Sequence, residues 1–142
     1  MTILQAILCG VIYFVGNGAV LGAVGYYAVY RPLVCGFLTG LIMGDPVTGT
    51  MIGATINLMY IGFISAGGAL PGDMCLAGIL GTALAISGGL TAEAALAIAV
   101  PLGLIGTLLW VGRLTINTVF VRMADKMVEK GETEKIWIPD FL

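Results

Sequence analysis

Charged side chains are nearly absent from most of this chain, and their absence most limits what it can fold into. The first 112 residues carry only Arg31, Asp45, Asp73 and Glu93, whereas ten charged residues follow them. The chain is 59% hydrophobic and 10% charged, while about a quarter of the residues of a soluble domain are charged. A chain of 142 residues cannot hide this much apolar surface in a core of its own. The chain therefore belongs in a bilayer or in a very large apolar assembly. We favour the bilayer and, from the apolar runs described below, expect an all-α membrane protein.

The residue types also exclude several classes of function. The chain contains no histidine, which removes imidazole bases, the usual metal ligand and any phosphohistidine. Cys9, Cys35 and Cys75 are isolated in apolar runs without a CxxC pair, so we interpret them as small buried hydrophobes. There is no basic patch with interleaved aromatic residues, the pattern typical of nucleic acid binding. The sequence thus predicts no catalytic residue, metal site, cofactor or nucleic acid partner.

The first apolar runs are unequal in length. Ile3 to Tyr30 is uncharged and long enough to cross a bilayer, which takes about 20 residues. The sequence Gly16-Asn17-Gly18 interrupts it and predicts a break, so the run is either one kinked span or a pair of half-helices. After Arg31-Pro32 comes Leu33 to Gly44, whose helical length of about 18 Å is too short to cross about 30 Å of hydrocarbon.

The next segment has the features of a helical hairpin. Asp before Pro in the sequence GDPVTG predicts a chain reversal, and a second short arm, Val47 to Phe63, returns. Together the arms predict a re-entrant hairpin, with two ordinary kinked helices as the alternative. Glycines recur every four residues on both arms, and such faces let helix backbones touch in lipid. The glycines are Gly36, Gly40, Gly44, Gly49 and Gly53, and Asn57 comes next on the stripe of the returning arm.

The second half of the chain has one further break and one long apolar run. Ser65 to Asp73 contains three glycines and a proline and predicts irregular backbone. Cys75 to Ser87 is again too short to span. Thr91 is expected to cap the next helix. The apolar run from Ala94 to Gly112 is long enough to cross a bilayer.

Basic residues recur four apart near the end of the chain, at Arg122, Lys126 and Lys130. This spacing predicts an amphipathic helix that faces water or lipid headgroups. Basic residues concentrate on the cytoplasmic side of membranes. We therefore predict a membrane-embedded domain over residues 1–121 and an amphipathic, charged cytoplasmic segment over residues 122–142.

Polar groups within the broken apolar runs form the candidate binding site. A charge inside a membrane costs about 2.5–3.5 kcal/mol on insertion scales, so Asp45 and Asp73 need explaining, and N-capping near the surface is the simpler interpretation. Gly-interrupted segments typically mark the binding site of a transporter. Carboxylate, amide and hydroxyl groups beside an aromatic ring, from Tyr60 or Phe63, suit a sugar, although an ion pathway uses the same acids. The candidate substrate-binding residues are Asp45, Asn57, Phe63, Ser65, Gly67 and Asp73.

Short motifs recur along almost the whole chain. They are RPL at Arg31–Leu33, GD at Gly44–Asp45, TG at Thr48–Gly49, GATINL at Gly53–Leu58, GGALPGD at Gly67–Asp73 and ADK at Ala124–Lys126. In order and spacing they resemble the IIC membrane component of the mannose/fructose/sorbose family of the bacterial phosphotransferase system. That family continues into further membrane helices where this sequence ends at IWIPDFL, so we expect an N-terminal part of a IIC subunit or a shortened member.

The resemblance implies a fold, a function and partners. The fold is all-helical, with re-entrant hairpins and an elevator-like mobile core, and it crosses the bacterial inner membrane several times. IIC and IID subunits form a sugar-translocating complex that assembles as a trimer of heterodimers. Cytoplasmic IIA and IIB subunits pass phosphate by histidines and phosphorylate the sugar as it enters. The absence of histidine here fits a IIC subunit, which carries no phosphoryl group.

Three candidate residues depart from the mannose-type pattern. Asn57 stands where mannose-type members have glutamate, Phe63 where some have tryptophan, and Ser65 where some have asparagine. Asp45 and Asp73 match acidic positions. Because the loss of a carboxylate eases entry of an amino-substituted, acidic or larger sugar, we hypothesise a substrate other than plain mannose.

Three functions stay open on the sequence alone. The favoured function is sugar translocation as the IIC subunit. A membrane scaffold that only packs with partners would use the same glycine faces, and an ion-coupled transporter or channel would use Asp73 as its relay. An Asn57→Leu change separates the first two, because a scaffold tolerates it. Dependence of uptake on a proton or sodium gradient would indicate the third.

Overall fold

The computed structural model describes residues 1–18, 24–62, 72–129 and 131. Throughout these ranges the chain forms helices and turns and no strand, which confirms the prediction of an all-helical fold for this part. The elements are α1 (Ile3–Asn17), a π-helical turn (Gly25–Val29), α2 (Pro32–Met43), α3 (Pro46–Tyr60), α4 (Met74–Gly88) and α5 (Ala92–Glu129).

The chain divides into two compact units, Met1–Thr107 and Leu108–Leu142. The first unit contains the first four α-helices and the beginning of α5. In the second unit, the Arg113 guanidinium lies 5.8 Å from the centre of the Trp110 ring. The predicted boundary after residue 121 concerns embedding in a membrane, which this division does not test, and it stays a prediction.

The predicted break within the first apolar run is present. Thr2 caps α1 through a reciprocal pair of hydrogen bonds with Gln5, and the helix ends at Asn17, before a non-helical Gly18. After the π-helical turn the backbone of Tyr30 lies beside Gly16, since a Cβ on that glycine would be 3.6 Å from the Tyr30 nitrogen. The chain has therefore returned to the end of α1, as half-helices do and a single kinked span does not.

The predicted hairpin turn lies between α2 and α3. Gly44 ends α2 in the left-handed conformation, with φ of 86°, which glycine adopts without a steric penalty. Asp45 begins α3 as its N-cap, because its Oδ1 accepts a hydrogen bond of 3.0 Å from the Thr48 amide. A Cβ added to Gly44 would meet no atom within 4 Å, so its expected place on the packed glycine face is wrong.

The two arms of the hairpin pack with their backbones in contact. A Cβ on Gly36 would lie 2.7 Å from the Gly53 Cα, and one on Gly40 would lie 2.9 Å from the Gly49 Cα. Real Cβ atoms do not approach other atoms this closely, so these positions require glycine. The prediction of a small-residue interface between the arms is confirmed.

α4 lies in the core of the first unit. One of its faces joins α3 and α5 in a buried apolar cluster that includes Ile52, Ile56, Ala85 and Ala99. The other face joins α1 and α2 in a second cluster. That cluster contains Cys9, Tyr30, Cys35, Cys75 and Ile79, so all three cysteines are buried among apolar groups, as predicted.

The apolar surface of these helices is largely exposed. α1 presents one side outward, and within the described ranges α5 is the helix that is long and apolar enough to cross a membrane. α1, α2 and α4 are apolar but have only 12 to 15 residues each. The number of spans therefore stays a prediction. The exposed apolar residues of α1 are Ile3, Leu4, Ile7, Leu8, Val11 and Phe14.

Candidate functional site

Asp73 is the centre of the best-defined polar cluster in the described part of the chain. It is 3% exposed and is the N-cap of α4, since its Oδ1 accepts a hydrogen bond of 2.9 Å from the Leu76 amide. The positive end of the α4 dipole also favours a carboxylate here. Capping, the simpler interpretation of this residue, is therefore present, but it uses only one of the two oxygens.

The second oxygen of Asp73 faces α1. The Tyr13 hydroxyl donates to Oδ2 at 2.7 Å, and the Asn17 amide nitrogen donates at 3.4 Å. These two residues lie one turn apart on the same face of α1. Three donors from two helices, the Leu76 amide, the Tyr13 hydroxyl and the Asn17 amide, thus converge on this carboxylate.

α3 and α5 close the cluster from the other sides. The Asp73 amide donates to the Gly103 carbonyl at 2.8 Å. A Cβ on Gly106 would collide with the Asp73 Cβ, and one on Gly103 would collide with the Tyr60 hydroxyl. Tyr60 is itself 3% exposed. We call Tyr13, Asn17, Tyr60, Asp73 and Gly103 the Asp73 cluster.

The cluster lies at the opposite end of the short helices from the hairpin turn. α1 begins beside the end of α2, because the Gln5 amide nitrogen donates to the Ile42 carbonyl at 3.1 Å. Tyr13 is ten residues beyond Ile3, and Gly103 is ten residues beyond Glu93, so each lies about 15 Å along its helix. The N-terminus, Asp45 and Glu93 are thus at one end and the Asp73 cluster is well away from them.

Besides Asp73, the centre of the cluster, the predicted site residues fall into three groups. Asn57 lies three residues before Tyr60 on α3, is half-buried, and forms no hydrogen bond with any described residue. Asp45 is twelve residues earlier, about 18 Å along the helix axis, so the structure places it apart from Asn57. Phe63, Ser65 and Gly67 lie outside the described residues.

Sequence reasoning missed Tyr13 and Asn17 as members of a site. Asn17 was interpreted only as part of a helix break, and Tyr13 was not considered. The signal was available, because polar groups four residues apart in an uncharged apolar run lie on one helix face and need partners. What the sequence did not reveal is that their partner is Asp73.

The groups of the site are hydrogen-bond donors and acceptors. No group of three or more acidic, cysteine or histidine residues in the described ranges is arranged to hold a metal ion. The cluster offers hydroxyl, amide and carboxylate groups beside the Tyr60 ring, which can exchange hydrogen bonds with a polyhydroxylated ligand.

Comparisons with known proteins show which family the chain belongs to. The family described as PTS system sorbose-specific IIC component matches residues 3–142. The mannose-specific EIIC component of Escherichia coli K12 is 34% identical over 140 residues, which cover 97% of this chain and 52% of that protein. The chain belongs to the sorbose-specific IIC family of the phosphotransferase system.

Other members and a solved structure agree with this assignment. A putative N-acetylgalactosamine permease IIC component 2 of E. coli K12 is 36% identical over 101 residues, or 71% of this chain and 74% of that protein. The cryo-EM structure of the mannose transporter ManYZ with microcin E492 matches with a TM-score of 0.80 and 32% identity, over 97% of this chain and 56% of that one. This IIC-family chain spans about half the length of the mannose-specific relative.

Proposed function

We propose that this chain forms the sugar-binding part of a IIC permease that carries a sugar across the bacterial inner membrane. The observation that supports this most is the Asp73 cluster, in which a buried carboxylate, a helix N-terminus and side chains from two further helices converge. Buried polar groups of this density among apolar helices are a feature of substrate pathways in membrane proteins. Asn57 and Asp73 are the proposed substrate contacts, with Phe63, Ser65 and Gly67.

The depth of the cluster supports a transport site. The end that carries the N-terminus, Asp45 and Glu93 is the polar end, and we place it at the headgroups. A distance of about 15 Å then puts the cluster near the middle of a hydrocarbon layer of about 30 Å. Transporters bind their substrates near this midplane, where discontinuous helices end.

The hairpin fits this arrangement. α2 has 12 residues and α3 has 15, so their lengths of about 18 and 22 Å reach only part of the way across the layer. We propose that they form a re-entrant element of the mobile core of an elevator-type carrier. The glycine contact between the arms keeps them together as one rigid unit during such a movement.

The proposed substrate is a hexose derivative rather than plain mannose. Asn57 supplies an amide where a carboxylate stands in the mannose-type pattern, and an amide both donates and accepts hydrogen bonds. An amino-substituted, acidic or larger sugar suits this change best. The name of the N-acetylgalactosamine relative, an amino sugar permease, supports the first of these.

The proposed complex contains other subunits. Because this chain has no histidine, phosphate transfer belongs to IIA and IIB partners in the cytoplasm, near residues 122–142. A IID subunit completes the membrane part, as the two-part name ManYZ of the related transporter suggests, and we propose a trimer of such heterodimers.

Uptake of labelled sugars tests the proposal. Cells would express the chain with its IIA, IIB and IID partners, and mannose would be compared with amino, acidic and larger sugars. Asn57→Leu is expected to reduce uptake several-fold or more while the complex still assembles. Met59→Leu is the matched control, because it places the same residue at a half-exposed position of α3.

A second pair of variants separates binding from capping. Asn caps helices about as well as Asp, so Asp73→Asn and Asp45→Asn both keep their helix ends. Uptake lost only with Asp73→Asn would assign Asp45 to capping, and loss with both would place both in the site. Unchanged uptake with Asn57→Leu and Asp73→Asn would favour a scaffold. Uptake that collapses when the proton or sodium gradient is removed would favour an ion-coupled carrier.

A further inference from the structure

Two threonine hydroxyls in the core of the first unit have no oxygen or nitrogen partner among the described residues; the one polar neighbour of Thr39 is the Cys9 thiol. Thr39 on α2 and Thr82 on α4 are both 0% exposed, and the Oγ1 atom of each is buried without such a partner. Buried hydroxyls are nearly always satisfied by protein or by ordered water. These two need an explanation, and nothing in the proposed sugar site supplies it.

The orphaned hydroxyls are unusual for helical threonines in this chain. Thr50, Thr55 and Thr115 each donate to the carbonyl four residues earlier, at 2.7, 2.9 and 2.9 Å. This local bond is the ordinary solution for a threonine in an apolar helix. Thr39 and Thr82 do not use it, so their hydroxyls are turned toward neighbouring helices.

The two hydroxyls lie along the same interface, between α2 and α4. A Cβ on Gly78 would be 2.9 Å from the Pro32 Cα, so Thr39 and Thr82 are offset by about one turn along that interface. α2 and α4 run in the same direction, because each is antiparallel to α3. They meet one turn earlier, where the Cys35 sulfur lies 3.6 Å from the Cys75 carbonyl and a Cβ on Gly78 would be 2.6 Å from that sulfur. Four residues further along each helix, on the same faces, are Thr39 and Thr82.

α1 supplies a third polar wall. The thiol of Cys9 lies beside the Thr39 side chain, and a thiol is only a weak donor and acceptor. Cys9 belongs to a polar row on α1 at four-residue spacing. In that row Gln5 donates to the Ile42 carbonyl, and Tyr13 and Asn17 donate to Asp73. This row carries Gln5, Tyr13 and Asn17 on either side of the buried Cys9, and the orphaned hydroxyl of Thr39 lies beside Cys9.

We propose that Thr39 and Thr82 bind one internal water molecule between α1, α2 and α4. The two hydroxyls are its main partners, and the Cys9 thiol is a third neighbour, which meets the two to four partners that a buried water requires. The water satisfies both hydroxyls and ties three helices together, about one turn from Tyr13 along α1 and about two and a half turns from Asp73 along α4. The site does not depend on which ligand the permease carries.

A double-mutant cycle tests this site in the purified protein. Valine has the shape of threonine without the hydroxyl, so Thr39→Val, Thr82→Val and the double variant are expected to fold. We expect each single change to lower the apparent Tm by several degrees, because it leaves the water and the other hydroxyl with too few partners. The double variant should lose little more than one single variant. Thr55→Val, at a site where the hydroxyl bonds its own helix, is the control.

Two results would overturn the proposal. If each single valine raises the Tm and the effects add, the hydroxyls are unsatisfied and hold no water. A high-resolution structure of the protein gives the second check. A density peak within hydrogen-bond distance of both Oγ1 atoms is expected, whereas two Oγ1 atoms in direct hydrogen-bond contact without such a peak would show a Thr–Thr bond instead.

Discussion

Asp73 combines a local and a long-range role in one side chain. Its Oδ1 caps α4, as the sequence context of a residue after Pro-Gly suggests, and its Oδ2 binds Tyr13 and Asn17 of α1. The carboxylate therefore fixes the start of one helix against the end of another. Under the proposed function, a substrate hydroxyl that competes for Oδ2 would loosen the link between α4 and α1. Substrate binding would then be coupled to a movement of one helix.

The hydroxyl of Tyr13 is expected to stabilise the fold measurably. Tyr13→Phe removes the 2.7 Å hydrogen bond to Asp73 and leaves a buried acceptor with one donor fewer, which should cost about 1–2 kcal/mol. The free energy of unfolding in mixed micelles measures this. Tyr27→Phe is the matched control, since Tyr27 is 71% exposed and should change stability by less than about 0.5 kcal/mol. Equal effects at both positions would contradict the role given to Tyr13.

At the scale of elements, glycine decides how closely the helices approach. Four glycines let α2 and α3 touch along their backbones, while Gly103 and Gly106 make room on α5 for Tyr60 and Asp73. Both interfaces occur where a methyl group would be excluded. The same residue type also ends α2 at Gly44, where its positive φ is the reason.

The hairpin contact predicts a difference between two glycine variants. In Gly53→Ala the new methyl group would lie 2.7 Å from the Pro32 carbonyl oxygen, and forcing the arms apart should destabilise the protein by about 1–3 kcal/mol. Gly10→Ala on α1 meets no atom within 4 Å and should stabilise the helix by up to about 1 kcal/mol. Thermal unfolding in detergent distinguishes them, and a Gly53→Ala protein as stable as the wild type would refute the close contact.

The close packing of Asp73 against α5 predicts a difference between a second pair of glycine variants. Gly106→Ala places a methyl group on the Asp73 Cβ, so the carboxylate must move and sugar uptake should fall along with stability. Gly112→Ala on the same helix meets no atom within 4 Å and should leave uptake unchanged. Uptake per assembled complex is the measurement. Normal uptake by the Gly106→Ala protein would mean that Asp73 can shift without loss of function.

At the scale of the whole molecule, the proposed transport mechanism depends on how deep each helix end lies in the bilayer. The described helices other than α5 are shorter than the hydrocarbon layer. Under the proposed function, the turn at Asp45 lies near the membrane surface and the Asp73 cluster lies near the midplane.

Spin labels test that depth assignment. Val47 and Leu58 are 69% and 68% exposed and lie eleven residues, or about 16 Å, apart on α3. In a variant without the native cysteines, a nitroxide at position 58 should show a higher ratio of oxygen to nickel-complex relaxation than one at position 47. The reverse order would place the hairpin turn inside the bilayer and move the Asp73 cluster to its surface.

The sequence by itself determined the membrane class, the helix break at Gly16–Gly18, and the caps at Asp45 and Thr91, whose hydroxyl accepts from the Ala94 amide. Each of these features depends on composition or on residues within one helical turn, so it can be predicted from neighbouring residues in the sequence. The break predicted over Ser65 to Asp73 lies almost wholly outside the described residues. Only the tertiary structure decided that Asp73 binds Tyr13, 60 residues away, and that Asp45 lies apart from Asn57. Contacts between distant residues depend on how whole helices pack, because the same polar groups can face several neighbours until the glycine contacts fix which helices meet.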